Sequence, residues 1–227
     1  MPEHWLAWVA IGYLCGSIPF GLLLGRCRGV DIRKHGSGNI GATNAGRVLG
    51  WPWGVTCLVL DVLKGLGPVF LGGWAMGLIG GAEEPSALEA WRWLAVAAAA
   101  VVGHVFPIWL KLKGGKGVAT GLGAVLGIWP TLTVPALLAV GVWGLLAAIF
   151  KYVSLASIVA AAVIPGFLLV RVWLWGEPLA GVMPYLIVSS LIAALVVLRH
   201  SSNLKRLLAG CEPRLDEKLS DKHATPN

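Results

Sequence analysis

VATGLGAVLGIWPTLTVPALLAVGVWGLLAAIF, residues 118–150, carries no charged side chain. As one straight helix it would reach about 50 Å at 1.5 Å per residue, too long for a hydrocarbon core of ~30 Å. Pro130 and Pro135 supply a break, because proline lacks an N–H donor and its ring clashes with the preceding turn. The stretch reads as two short membrane helices joined by a tight turn. Outward from it, Trp5–Leu24 is uncharged, Pro52–Gly80 holds only Asp61 and Lys64, and Leu94–Leu110 has His104 as its one ionisable group. Tyr152–Val170 and Pro178–Leu198 complete the set. Trp5–Leu24 does not read as a signal peptide, since no basic region precedes it and Cys27-Arg28 is no small-residue cleavage site. The expected fold is all-α: one seven-helix membrane domain over residues 1–210, then a polar, disordered tail over 211–227.

Composition agrees with lipid as the solvent. Of 227 residues, 57% are hydrophobic and 13% charged, against ~45–50% and ~25% in soluble domains. That excludes a soluble domain, a coiled coil and a secreted disulfide scaffold. The four cysteines, Cys15, Cys27, Cys57 and Cys211, share no short spacing and read as free thiols. A net charge of +7 would suggest nucleic acid in a soluble protein, but here its distribution explains it. Of the 18 basic residues, all but Lys64, Arg92 and Arg171 fall in segments 25–51, 110–118, the turn at Lys151, and the tail from Arg199. Those segments alternate with loops holding Glu83, Glu84, Glu89 and Glu177. The positive-inside rule then places the amino terminus outside and the carboxyl terminus in the cytoplasm. Neither nucleic acid nor an obligatory protein partner is expected.

The unusual segments all lie on the basic side. Residues 31–50, DIRKHGSGNIGATNAGRVLG, combine close-approach glycines with the neutral groups of Ser37, Asn39, Thr43 and Asn44. Arg47 adds a planar fork suited to phosphate. The alternative is a plain polar linker. Gly36, Gly38 and Gly41 also fit a dinucleotide fingerprint, but a membrane helix precedes them where a strand is required. Lys113-Gly114-Gly115-Lys116-Gly117 opens a helix, so free amides, the helix dipole and lysine charge make an anion site. A positive-inside anchor would explain the lysines but not the glycines. Ser154, at a helix start, suits either a site or an N-cap. His200 and Asn203, three apart, suit either a shared site-facing side or a polar helix end. Asp61 and Lys64, at i and i+3 in an apolar run, read as a structural ion pair, and His104 as a packed histidine. No His/Cys/Asp/Glu cluster has metal-ligand spacing, so no metal and no cofactor are expected.

Taken together, these segments resemble one family: the bacterial acyl-phosphate:glycerol-3-phosphate acyltransferases of the integral-membrane PlsY type. The resemblance runs from Gly16-Ser17-Ile18-Pro19 through residues 31–50, the 61–65 and 103–107 segments, residues 113–120, Ser154, His200 and Asn203. It implies transfer of a fatty acyl group from acyl phosphate to glycerol 3-phosphate, giving lysophosphatidic acid and phosphate. It also implies a multi-pass protein of the bacterial inner membrane, with its site facing the cytoplasm. Ser37, Arg47, Lys116, Ser154, His200 and Asn203 become the expected catalytic set. Asn39, Thr43, Asn44, Gly114, Gly115, Gly117 and Thr120 become the expected substrate contacts. The common acyltransferase pattern H-x-x-x-x-D is absent: Val9, Ile40, Trp109 and Lys205 stand five residues after His4, His35, His104 and His200. Only Asp31 offers a carboxylate in the basic loops before the tail, so the expected mechanism is direct attack, with the donor's phosphate taking the proton. A transporter would show internal repeats, and a metal-dependent headgroup transferase would show an aspartate cluster; the sequence has neither.

Overall fold

The computed structural model describes residues 4–80 and 84–217. The described chain is helical: α1 (Trp5–Gly16), α2 (Phe20–Cys27), α3 (Ala42–Leu49), α4 (Trp51–Ala75), α5 (Ala87–Val105), α6 (Val118–Leu126), α7 (Thr133–Phe150), α8 (Val153–Trp175), α9 (Leu179–Arg199) and α10 (Ser201–Leu208). Among the described residues, six segments are long and apolar enough to cross a membrane: α1 with α2, α4, α5 with the turn after it, α7, α8 and α9. Residues 118–150 do divide into two helices, but unequally. α6 has nine residues, about 14 Å at 1.5 Å per residue, less than half of a ~30 Å core. The fourth of the seven expected spans is therefore a short helix packed against α4.

Small residues decide which helices touch. With no hydrophobic drive between helices in lipid, association rests on close packing, and glycine allows backbones to approach. A methyl at Gly65 would fall on the Thr120 carbonyl, and one at Gly123 on the Val62 carbonyl, so α4 and α6 lie backbone to backbone. Gly127 meets Val69 and Phe70, which makes α6 run parallel to α4. Gly16 against Ala100 and Gly103 against Tyr13 join α1 to α5 in the same way. The core between them is apolar, around Trp93, Leu94, Val69, Ile128, Leu132 and Leu168. The indole of its largest member is satisfied: Trp93 Nε1 donates to the Val69 carbonyl at 2.8 Å. Leu137, Leu145, Ile149, Trp173, Leu174 and Leu191 point outward and exposed, as a lipid-facing surface requires.

α5 starts at a Ser86–Glu89 capping box, which satisfies two otherwise orphaned amides reciprocally. The first expected span is broken at Ser17-Ile18-Pro19, where Lys64 Nζ takes up the freed Ile18 carbonyl at 2.6 Å. Of the expected tail, residues 218–227 lie outside the described residues. Within Cys211–Glu217 the Leu215 amide donates to the Lys151 carbonyl at 2.7 Å, and Glu212 reaches into the bundle. Polarity marked this segment as tail, and that same polarity lets it bond to polar groups at the bundle's end.

Candidate active site

The loop before α3 is organised by one side chain. Asn44 Oδ1 accepts from the Ser37 amide at 2.8 Å, while Nδ2 donates to the carbonyls of Ile32 (2.9 Å), His35 (3.2 Å) and Asn39 (2.8 Å). A buried amide bonded on both ends holds a loop rigid. Gly36, at φ +59, passes so close that a side chain there would strike Asn44 Oδ1. Asn44 was expected to bind substrate. Its bonding capacity is spent on the loop, which turns Ser37, Asn39 and Thr43 toward the cavity below.

The glycine-lysine loop doubles back on α5. The Gly114 amide donates to the Val105 carbonyl and the Gly115 amide to the His104 carbonyl, each at 3.1 Å. Arg199 holds the other edge, with Nε 3.2 Å from the Gly115 carbonyl and Nη2 3.1 Å from that of Gly114. So Gly114 and Gly115, expected to offer amides to substrate, are consumed in fixing the loop. Thr120 is likewise fully buried against α4 and away from the cavity. What the loop presents is Lys116. Its Nζ donates to Asn203 Oδ1 at 2.6 Å. Burial pushes its pKa down to about 8, against the pull of Glu212 and with the push of Arg206, Arg47 and Arg199.

His200 caps the end of α9 and is buried. Its Nδ1 lies 2.8 Å from the Val196 carbonyl. A carbonyl only accepts, so Nδ1 carries the hydrogen and Nε2 is left as an acceptor. Burial, with Lys116 nearby, takes the pKa down to about 4 although the Val196 bond opposes the shift; the ring is neutral at pH 7. We expect His200→Ala to raise the KM for the hydroxyl substrate, with kcat recovered at saturation. Any limb of the pH–rate profile at about 6.5, where phosphate monoesters also titrate, is expected to persist in His200→Gln. Loss of the chemical step at saturation, or loss of such a limb in that variant, would make His200 the base.

Ser154 is not an N-cap; Tyr152 holds that position of α8. Ser154 Oγ instead donates to Glu212 Oε1 at 2.7 Å. The same oxygen accepts from Asn203 Nδ2 at 2.6 Å, and Oε2 from Arg206 Nε at 2.8 Å. Ser37, Asn39, Thr43, Asn44, Arg47, Lys116, Gly117, Ser154, His200 and Asn203 all line one cavity of about 610 Å³. Gly114, Gly115 and Thr120 do not. Arg206 and Glu212 join the lining unannounced by any motif. Away from this charged end the walls turn apolar, through Leu122, Val125, Ala139, Val140, Ile164 and Ile192. Polar groups along that wall bond to each other: Trp143 Nε1 donates to Ser157 Oγ at 3.1 Å, and Ser157 Oγ to the Val153 carbonyl at 2.7 Å.

Beneath the cavity Asp61 and Lys64 form an ion pair at 2.8 Å, each side chain 3% exposed. His104 packs beside them, Nδ1 3.9 Å from Asp61 Oδ1, with its ring against Gly115. The pair thus joins α4 to the break after α1 and to the floor under Lys116.

A profile of the glycerol-3-phosphate acyltransferase family matches residues 6–210. The glycerol-3-phosphate acyltransferase of Trichlorobacter lovleyi is 46% identical over 210 residues, covering 92% of this chain and 96% of the relative. That of Geotalea daltonii is 47% identical over 200 residues, covering 88% and 92%. Among solved structures, the glycerol 3-phosphate form of PlsY (YgiH), an integral membrane glycerol 3-phosphate acyltransferase, superposes with a TM-score of 0.79 at 37% identity, covering 93% of this chain and 96% of that one. Its lysophosphatidic acid form gives 0.76. Sequence along nearly the whole length and helical architecture agree, and this chain belongs to the glycerol-3-phosphate acyltransferase family of integral-membrane, PlsY type.

Proposed function

We propose that the chain transfers a fatty acyl group from acyl phosphate to glycerol 3-phosphate at the cytoplasmic face of a bacterial inner membrane. The observation that carries this reading is a single cavity with a cationic, hydroxyl-rich end and an apolar end between membrane helices. One substrate is a small soluble anion and the other an anion with a fatty chain, and the cavity offers chemistry for both. The basic segments support a cytoplasmic mouth, an outer amino terminus and an inner carboxyl terminus; α6 with its glycine loop would then count as the fourth of seven passes, an incomplete one.

In this reading Arg47 and Lys116 hold phosphate, and Ser37, Thr43 and Ser154 donate hydrogen bonds to the acyl-phosphate head. Such fixed donors stabilise charge developing on the carbonyl oxygen and the leaving phosphate. His200 Nε2 and Asn203 orient the glycerol hydroxyl. Its oxygen bonds to the acyl carbon, the bond from that carbon to the phosphate oxygen breaks, and the hydroxyl proton leaves with the phosphate. Acyl phosphate is an activated anhydride, so no protein carboxylate need serve as base.

Direct transfer requires both substrates in the cavity together. Initial rates over a grid of the two concentrations are therefore expected to give intersecting lines. Parallel lines, or acyl label trapped on Ser37 or Ser154 without glycerol 3-phosphate, would replace direct transfer by an acyl-enzyme.

A further inference from the structure

A second, smaller cavity of about 280 Å³ adjoins the polar end of the first. The two share Ser37, Asn39, Lys116 and Arg206 as a common wall, while Leu198, Arg199, Ser201 and Ser202 line the smaller one alone. Leu198 is its one apolar member, so it offers little to a fatty chain. Its volume is close to the ~300 Å³ lower end of small-molecule pockets, which suits a small hydrophilic molecule.

Its charge is one-sided. Lys116, Arg199 and Arg206 line it, and among the described residues no carboxylate does. Lys116 Nζ donates to the neutral Asn203 Oδ1, and Arg199 to the neutral carbonyls of Gly114 and Gly115. Arg206 meets Glu212 through Nε alone of its donors, at 2.8 Å, and its side chain stays 39% exposed. A guanidinium carries five N–H donors, so that contact leaves others for an anion. The crowding is felt at Lys116: burial lowers its pKa most, and Arg206, Arg47 and Arg199 push the same way against the pull of Glu212. Cations held together like this favour an anion among them.

We propose that the smaller cavity is an entry subsite for a soluble phosphate monoester: glycerol 3-phosphate is caught among Ser201, Ser202 and Arg206, and Lys116, common to both cavities, then draws its phosphate into the reaction cavity. The proposal rests on the reading that Lys116 binds phosphate. It gives Ser201, Ser202 and Arg206, which the transfer step itself does not use, a part in capture. Hydroxyl and guanidinium donors match the acceptor oxygens of a phosphate. A cleft lined by one sign of charge concentrates the opposite ion and raises its on-rate by roughly 10–10³. A polar door apart from the apolar wall also lets the soluble anion arrive while the lipid donor is already in place, as direct transfer requires.

The test uses the full chain in liposomes with acyl phosphate. Ser202→Glu puts a carboxylate into the smaller cavity at an exposed position. It is expected to raise the KM for glycerol 3-phosphate at least fivefold, with kcat and the KM for acyl phosphate within twofold. Lys205→Gln changes the net charge equally on the same helix, at an exposed residue outside both cavities, and is expected to leave all three constants within twofold. An unmoved glycerol 3-phosphate KM in Ser202→Glu, a tenfold loss of kcat there, or an equal KM rise in Lys205→Gln would overturn the subsite. Labelling gives a reading without turnover. In a chain whose exposed Cys27 and Cys211 are replaced by serine, Ser202→Cys is expected to react with an anionic thiosulfonate. Saturating glycerol 3-phosphate or inorganic phosphate is expected to slow that reaction at least threefold, and glycerol to leave it unchanged. No protection, protection by inorganic phosphate alone, or equal protection by glycerol would overturn the proposal. Lys116→Ala separates the levels: normal kinetics there would remove the phosphate-site reading itself. Lost activity there, with an unmoved KM in Ser202→Glu, would sink the entry subsite alone.

Discussion

Lys116→Ala is expected to lower kcat/KM by about two orders of magnitude, the worth of one or two charged hydrogen bonds to phosphate. The protein should still insert and fold, because the loop's shape is fixed by the amides of Gly114 and Gly115 and by Arg199, none of which needs the lysine side chain. Lys116 is a cleaner probe than Arg47, whose guanidinium also holds the Pro213 carbonyl and so reports on the tail as well as on substrate. The pKa near 8 adds a pH signature. A lysine is charged below its pKa, so the KM for glycerol 3-phosphate is expected to climb as pH rises from 7 to 9. That climb should vanish in the alanine variant. Kinetics within threefold of wild type would take Lys116 out of the site.

The second large effect lies below the cavity. Asp61→Ala strands the Lys64 ammonium in the bundle, left with the neutral Ile18 carbonyl and the face of the Phe20 ring and no counter-charge in contact. Breaking a buried pair by removing one partner costs about 3–5 kcal/mol, so the melting temperature is expected to fall by roughly 6–20 °C. Replacing both partners, Asp61→Leu with Lys64→Met, removes the stranded charge and is expected to restore most of the loss. Restored stability together with restored activity would make the pair a structural clamp. Restored stability without activity would give Asp61, which also lines the cavity, a part in the reaction. Little change in melting temperature for the single variant would contradict the clamp.

The two proline positions in residues 118–150 and the polar blocks at 31–50, 113–120, 154 and 200–203 carried most of what could be read beforehand. Helix breaks are local chemistry, and a phosphate site needs residue types that apolar spans do not. Ser37, Arg47, Lys116, Ser154, His200 and Asn203 accordingly meet in one cavity. The length of α6 was not legible, because an uncharged run gives no sign of where backbone packing against Gly65 and Val62 begins or ends a helix. Nor was the fate of the glycine loop. Free amides at a helix start read as an anion site, and only the return of the chain onto the Val105 and His104 carbonyls shows them occupied. Thr120 looked like a site residue by its place in the motif, yet its face of α6 is the one pressed on α4. Glu212 had no pattern at all: a single acid in a polar tail acquires meaning only from Ser154, Asn203 and Arg206 around it.

The central claim is that this cavity joins an acyl-phosphate donor to glycerol 3-phosphate without a covalent enzyme intermediate or another carrier. The most direct measurement reconstitutes the purified chain in liposomes with labelled glycerol 3-phosphate and supplies, in separate arms, acyl phosphate, acyl-CoA and acyl carrier protein loaded with the same chain. The account predicts labelled lysophosphatidic acid and one equivalent of inorganic phosphate with acyl phosphate, and no product with the two thioesters. Product from either thioester at a comparable rate, or none from acyl phosphate, would contradict it.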